Sequence, residues 1–291
     1  MTEPDTSPAP RPLTGPERAA ALDPGGWPAI LAAHPLPTRH SYSSLAAFAA
    51  CPYRYALRYV LRIPGPPVPA FAFGSAVHGA LETFTRKRRA RGGALPSRAE
   101  LGAWFGAAWE QRAGEVPDAE MRAGFAARAP AILDGFWAAE AAAGEDGPEV
   151  LREERGFRLA LDAEDGGDPV VVSGVIDRID RHRSGAVEVI DYKTGRAESQ
   201  ADPDENLQLT IYALACRDAL ALGRPERLTL WFVEAGTRLH ATRSDAELDR
   251  ARAEIAARVA RIRAGDFRAT PSAGACRWCD YRTVCPVAIP G

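Results

Sequence analysis

Positive charge is not in excess in this chain: 36 lysines and arginines stand against 38 aspartates and glutamates, a formal net charge of -2. That balance excludes a histone-like coat or a broadly basic surface, so any contact with nucleic acid has to come from local patches. No apolar run is long enough to span a bilayer, and the Pro-rich, acidic beginning has none of the hydrophobic core of a secretory signal. Neither membrane insertion nor export is expected, and the cytoplasm is the expected location. The phosphate-cradling G-x4-G-K-[ST] loop is missing, so no helicase motor is built into the chain. Nor is there an internal repeat. Cysteine is scarce, with five residues, and thiols of an intracellular chain stay reduced, which makes disulfides the weaker reading. What is present is ordinary globular material: 291 residues, 46% hydrophobic and 25% charged, enough to bury a sizeable core.

Residues 1–38 hold many prolines and little periodicity and read as a loosely ordered tail or an extended wrap. A structured domain is expected over 39–291. Ser43 reads as the N-cap of a helix running through Leu61, up to the break at Pro64-Gly65-Pro66-Pro67. A helical subdomain rich in Ala, Trp and Phe follows, from Ser75 to about Ala143. Strands are predicted over Leu151 to Leu161, Val170 to Asp180 and Ala186 to Thr194, then a helix from Leu207 to Leu222. Further strands are expected at Leu228 to Val233 and Thr237 to Ala241. An amphipathic helix from Ala246 to Ala264 is stopped by Gly265. The sum is an α/β fold with a mixed β-sheet core flanked by helices, a helical insertion (75–143) and a C-terminal cysteine clasp (270–291).

The most informative stretch is Gly174-Val175-Ile176-Asp177 followed by Val189-Ile190-Asp191-Tyr192-Lys193-Thr194-Gly195. Arg181-His182-Arg183-Ser184-Gly185 between the two β-branched runs reads as a hairpin turn. Positions 177 and 191 are equidistant from Ser184, so an antiparallel hairpin centred there sets Asp177 opposite Asp191, with Cα atoms roughly 4.5 to 5.5 Å apart. Two carboxylates that close repel unless a cation lies between them. Alternation along the strand puts Asp191 and Lys193 on one face and Ile190 and Tyr192 on the other. Oxygen ligands of this kind suit Mg2+ or Mn2+, and a neighbouring ammonium can position water or stabilise charge developing on phosphorus. A solvated hairpin with scattered charges is the plain alternative. The apolar neighbours on both faces argue against it, because half-buried charges are costly without a use.

Two other patterns carry chemistry. Cys276-Arg277-Trp278-Cys279 and Cys285 form a C-x2-C-x5-C module, and Cys51 stands far upstream, so four thiolates are available for a tetrahedral site. Spacing alone leaves zinc and an iron-sulfur cluster both open. The fifth thiol, Cys216, lies within a predicted helix and reads as a buried small hydrophobe. Arg54, Arg58 and Arg62 recur every four residues among Tyr53, Tyr55 and Tyr59, a stripe suited either to phosphate contact and base stacking or simply to solvent. The Arg86-Lys87-Arg88-Arg89 run with Arg91 ends a predicted helix, where cations suit the dipole.

As an ordered set, these segments resemble the PD-(D/E)XK nuclease superfamily, in particular its RecB-type branch, where G-x-x-D and D-Y-K-T-G are usual spellings. Phe73-Gly74-Ser75-Ala76-Val77-His78-Gly79 resembles that branch's upstream G-x-x-x-H element, and Gln208-Leu209-Thr210-Ile211-Tyr212 its Q-x-x-x-Y helix. The literal Pro-Asp is replaced by Ile176-Asp177, a frequent departure in the branch. The match runs from about Ser41 to Pro286. The resemblance implies a restriction-endonuclease-like fold and a DNA exonuclease that hydrolyses phosphodiester bonds in repair or recombination. His78, Asp177, Asp191 and the Tyr192 carbonyl would hold Mg2+ or Mn2+, with Lys193 positioning the attacking water. Gln208 and Tyr212 would orient Lys193 or touch substrate, and Arg54 and Arg58 would contact DNA. Glu82 and Glu154 are acids in reach of such a site and are given no role. One distant N-terminal cysteine plus a C-terminal triplet resembles the four-iron four-sulfur staple of AddB-type and CRISPR adaptation nucleases. This favours a cluster on Cys51, Cys276, Cys279 and Cys285 over zinc. The implied partner is single-stranded or end-bearing DNA, with unwinding supplied by a helicase on another chain. A non-catalytic DNA-binding or scaffold subunit of a helicase-nuclease assembly, or a CRISPR adaptation-type nuclease, is the alternative.

Overall fold

The computed structural model describes residues 11–22, 26–144, 147–163, 166–195 and 203–289. In chain order the elements are α1 (Gly15–Leu22), α2 (Trp27–Ala33), β1 (Arg39–His40), α3 (Tyr42–Ala50) and α4 (Pro52–Tyr55), which passes into a π-helical turn at Ala56–Val60. Three helices follow, α5 (Pro69–Ala90), α6 (Arg98–Arg112) and α7 (Ala119–Ala142), then β2 (Glu149–Leu161), β3 (Val170–Arg181) and β4 (Val187–Lys193). The remainder is α8 (Leu207–Asp218), β5 (Arg227–Phe232), β6 (Thr237–Ala241), α9 (Asp245–Arg263) and α10 (Ala273–Arg277). Among the described residues, no helix is long and apolar enough to cross a membrane.

Three expectations are corrected. Residues 1–10 and 23–25 of the expected tail lie outside the described residues, but 11–38 contains α1 and α2. Trp27 there is 1% exposed, edge-on to Phe267 at 4.9 Å, and the Tyr53 hydroxyl donates to the Glu17 carbonyl at 2.5 Å. Burial of a large aromatic against distant chain orders a segment whose own composition is unpromising. The helix expected from Ser43 to Leu61 is capped instead by Ser41 and is broken at Cys51 (φ -165°, ψ 114°). The ring of Pro52 drives its predecessor out of the helical region, and the same proline then starts α4 at its first position. Finally, α8 ends at Asp218 rather than Leu222, where Ala221 takes a left-handed φ of 55° that no helix continues through.

The chain divides into two compact units. One comprises the described residues within 11–67, 158–174 and 249–289, with a core built on Trp27, Phe48, Tyr55, Phe267 and Tyr281. The other comprises 68–157 and 175–248, with the described core centred on Phe73, Phe84, Phe136, Tyr192 and Trp231.

Six strands form one mixed sheet in the order β1-β3-β4-β5-β6, with β2 also paired to β3. The β3–β4 pairing is antiparallel with Arg178 opposite Ile190 and Arg181 opposite Val187, the register expected from a turn centred on Ser184. Gly185 (φ 90°) supplies the left-handed residue that this turn requires. From β4 the chain crosses through α8 and returns as β5, parallel to β4 with Asp191 opposite Leu230 and Lys193 opposite Phe232. A parallel return requires such a crossover, and here it lays α8 beside β4. Every residue of β4 except Lys193 is buried, as befits a central strand covered on both faces.

Candidate active site

Within the second unit, four elements converge on the carboxyl end of β4. Helix α5 contributes His78, β3 Asp177, β4 Asp191 and Lys193, and α8 Gln208 and Tyr212. The approach of α5 depends on a glycine: a Cβ on Gly74 would lie 2.9 Å from Thr194 Oγ1, the residue after Lys193. A bare backbone there lets the helix seat its first turns on the strand end, and His78, one turn further on, then lies with Nδ1 3.5 Å from Asp177 Oδ2.

Lys193 Nζ is 2.6 Å from Asp191 Oδ2 and donates to Gln208 Oε1 at 2.8 Å. Gln208 Nε2 donates to the Tyr212 hydroxyl at 2.8 Å, which in turn reaches Asp191 Oδ1 at 3.5 Å. The four side chains therefore close a ring. The one-face placement of Gln208 and Tyr212 expected from their spacing is the geometry that makes this ring. Asp177 Oδ2 accepts from the Tyr192 backbone N–H at 2.8 Å. The Tyr192 ring points to the opposite face, 5.8 Å from Phe136 and 5.6 Å from Trp231.

The electrostatics are those of crowded, desolvated acids. Burial first, and the Asp191 charge second, push the Asp177 carboxyl up to about 8. Burial likewise lowers His78, which favours the neutral imidazole that a metal requires. One acid that the sequence left without a role joins the group. Glu154 on β2 is pushed up by burial and then by Asp177, and it holds a φ of 43°. Left-handed backbone at a non-glycine strand residue is strained, and such strain is retained where a side chain has to be aimed. A carboxylate in an ordinary-looking strand gives no sequence signal of this; only the backbone does.

Among the described residues, no group of three or more His, Cys, Asp and Glu converges closely enough to hold a metal ion as the side chains stand. At this site the Lys193 ammonium lies against Asp191. The donor set nevertheless suits a divalent cation. Asp191 Oδ2 is buried without a hydrogen bond of good geometry, and burial together with the Asp191 charge holds the Asp177 carboxyl well above its ordinary value. Imidazole and carboxylate oxygens are acceptable partners for Mg2+ or Mn2+.

A pH dependence follows. Unfolded, Asp177 gives up its proton near ~4, and folded it keeps it to about 8. This group therefore favours the metal-free fold fully below pH ~4, and the contribution is lost as pH rises through 8. A divalent cation bound here would have to displace that proton, so any Mg2+ affinity would rise about tenfold per pH unit up to about 8 and then level off. Calorimetric titration in two buffers of different ionisation enthalpy measures the released proton. A flat affinity across that range would mean that Asp177 is already ionised.

Other expected site residues lie in the first unit. Arg54 and Arg58 both pair with Asp280, at 3.2 and 3.3 Å, with side chains 23% and 32% exposed. Two of the three arginines of the stripe are thus paired with an acid more than 220 positions away. Similarly, Arg86, Arg89 and Arg91 pair with Glu82, Glu153 and Glu100, and Arg88 is buried against Glu140. Cys51, Cys276, Cys279 and Cys285 line one small pocket, and burial raises the thiols of Cys279 and Cys285. They do not converge as a metal-holding group in this arrangement. Cys216 is fully buried in α8.

No curated protein matches the chain. Among solved structures, the crystal structure of SSO0001 matches over 87% of this chain and 89% of that chain, with 12% sequence identity and a TM-score of 0.42. The family model of the PD-(D/E)XK nuclease superfamily matches residues 39–286, a span that contains His78, Asp177, Asp191, Lys193, Gln208 and Tyr212, and the chain belongs to that superfamily.

Proposed function

We propose that this nuclease is a DNA exonuclease that requires Mg2+ or Mn2+ and serves repair or recombination. The observation that carries the reading is the ring formed by Asp191, Lys193, Gln208 and Tyr212, set beside Asp177 and His78. In this reading His78, Asp177 and Asp191 hold the cation, with the Tyr192 carbonyl as a further oxygen. The chemistry such a cation supplies is polarisation of a phosphoryl oxygen and a lowered pKa for water. Lys193 would be freed from Asp191 once that acid has another positive partner, and Gln208 would keep its ammonium aimed at the incoming water. Tyr212 holds the Gln208 amide in the orientation that presents its oxygen to Lys193. The substrate proposed is single-stranded or end-bearing DNA, and because the chain has no nucleotide-driven motor, duplex would be opened by a helicase partner.

In the other unit, the shared pocket of Cys51, Cys276, Cys279 and Cys285 supports a structural four-iron four-sulfur cluster, with zinc as the other occupant that four thiolates accept. It would tie α4 to the C-terminal segment of the same unit.

The test is cleavage of end-labelled single-stranded and duplex DNA by anaerobically purified protein, with Mg2+ or Mn2+ and with chelator. Stepwise shortening that stops in chelator is expected. Cleavage that continues unchanged in chelator would overturn the metal requirement, and a protein that binds DNA without cutting it would be a scaffold subunit. The same sample should absorb near ~400 nm if the cysteines hold a cluster, and metal analysis showing zinc alone would replace the cluster with zinc.

A further inference from the structure

Phe71 is 63% exposed, more than any other large apolar side chain among the described residues of its unit. It stands in the first turn of α5, seven residues before His78. Seven residues are two helical turns less about 20°, so Phe71 and His78 share a face and lie about 10 Å apart along the axis. Half-buried Ser75 lies between them, and half-buried Glu82 continues the same face beyond His78. The Gly74–Thr194 approach seats this turn against the residue that follows Lys193. Val68, 41% exposed and just ahead of the helix, extends the apolar surface around the ring.

We propose that Phe71 is a base-stacking residue that holds an unpaired nucleobase two or three nucleotides from the scissile phosphate. The proposal rests on the nuclease reading above. The distance fits, since about 10 Å spans roughly three stacked nucleotides at 3.4 Å each. So does the chemistry: a phenyl face accepts any base without reading its edges, which suits an enzyme that degrades a strand irrespective of sequence. The occupant is a base rather than a second protein because the exposed ring continues the face that carries His78 into the site where the strand has to lie.

The experiment is steady-state cleavage of single-stranded oligonucleotides, some carrying one abasic residue at successive positions from the labelled end, by wild type, Phe71→Ala, Phe71→Leu and Phe71→Trp. Phe71→Ala should raise KM by about 5- to 150-fold, the range of one lost stacking contact, with kcat changed less than about threefold. Phe71→Trp should stay near wild type, and Phe71→Leu, which keeps apolar bulk but no π face, should fall between. For wild type, one abasic position should cost as much as Phe71→Ala, and at that position the variant should lose nothing more. If wild type cuts DNA and Phe71→Ala has an unchanged KM, the stacking role falls and the nuclease reading stands. If its penalty is the same at every abasic position, the ring acts on something other than a base and the role also falls. If wild type neither binds nor cuts nucleic acid, both readings fall together.

Discussion

Replacing Lys193 with alanine is expected to lower kcat by about 10²- to 10³-fold, the usual cost of removing one preorganised charge from a reacting centre, while KM for DNA changes less than about threefold. The ammonium is 31% exposed and pinned at 2.6 Å to Asp191 and 2.8 Å to Gln208, so it cannot wander from the site. Its loss also removes the positive charge that faces Asp191, a carboxylate 3% exposed beside a second buried acid. Lys193→Met keeps the length and loses the charge, and should be as inactive as alanine. Lys193→Arg should not restore activity, because a planar fork cannot occupy the position of a compact ammonium held by one carboxylate oxygen and one amide oxygen. Rates within tenfold of wild type for Lys193→Ala or Lys193→Met, measured on end-labelled DNA with circular dichroism confirming the fold, would remove Lys193 from the chemistry.

That lysine was legible in the sequence because strand alternation and a symmetric turn are local rules. The register seen at Arg178–Ile190 and Arg181–Val187 is the one that counting outward from Ser184 gives. That Gln208 and Tyr212 share a helix face was legible from their spacing, and they are hydrogen-bonded to each other, but only the family resemblance connected them with Lys193. What could not be read were contacts that depend on distant chain. Asp280 holds Arg54 and Arg58, and no periodicity in residues 51–62 announces it. Trp27 orders a Pro-rich segment through Tyr53 and Phe267. Glu154 reaches Asp177 by a strained backbone that its neighbours in sequence do not encode. The break at Cys51 was legible in principle, since a residue before proline leaves the helical region, but the four-residue arginine spacing on either side concealed it.

The face of β3 and β4 turned away from the acids carries the second large effect. Arg178 donates to Asp180 Oδ1 at 2.7 Å and to Glu140 Oε1 at 2.8 Å, and its Nη1 lies 3.4 Å from the Tyr192 hydroxyl. Arg88 donates to the other Glu140 oxygen. The four side chains are between 0% and 7% exposed, so two cations and two anions balance almost wholly out of water. Burial works against ionised Glu140, but the charge and hydrogen bond of Arg178 and the charge of Arg88 outweigh it and hold the carboxyl below its ordinary value. Glu140's contribution is therefore present above the unfolded pKa of ~4.3 and lost only as pH falls through the lower folded value. Glu140→Ala leaves two buried guanidiniums facing one carboxylate and should cost about 3 to 5 kcal/mol, a fall in Tm of roughly 6 to 20 °C for a unit of this size. The double variant Arg88→Ala/Glu140→Ala keeps the neutral Arg178–Asp180 pair, and it should melt at or above Glu140→Ala rather than below it, because the charges act as one group. Additive losses in the double variant, or a Glu140→Ala melt within 2 °C of wild type near neutral pH, would mean that the network is not what holds β3 and β4 from behind. Arg178 follows Asp177 directly and Tyr192 separates Asp191 from Lys193, so loosening this network should also blur the positions of both acids. Glu140→Ala should therefore lose activity at temperatures well below its own melting point, whereas a change that only lowered global stability would leave the cold activity intact.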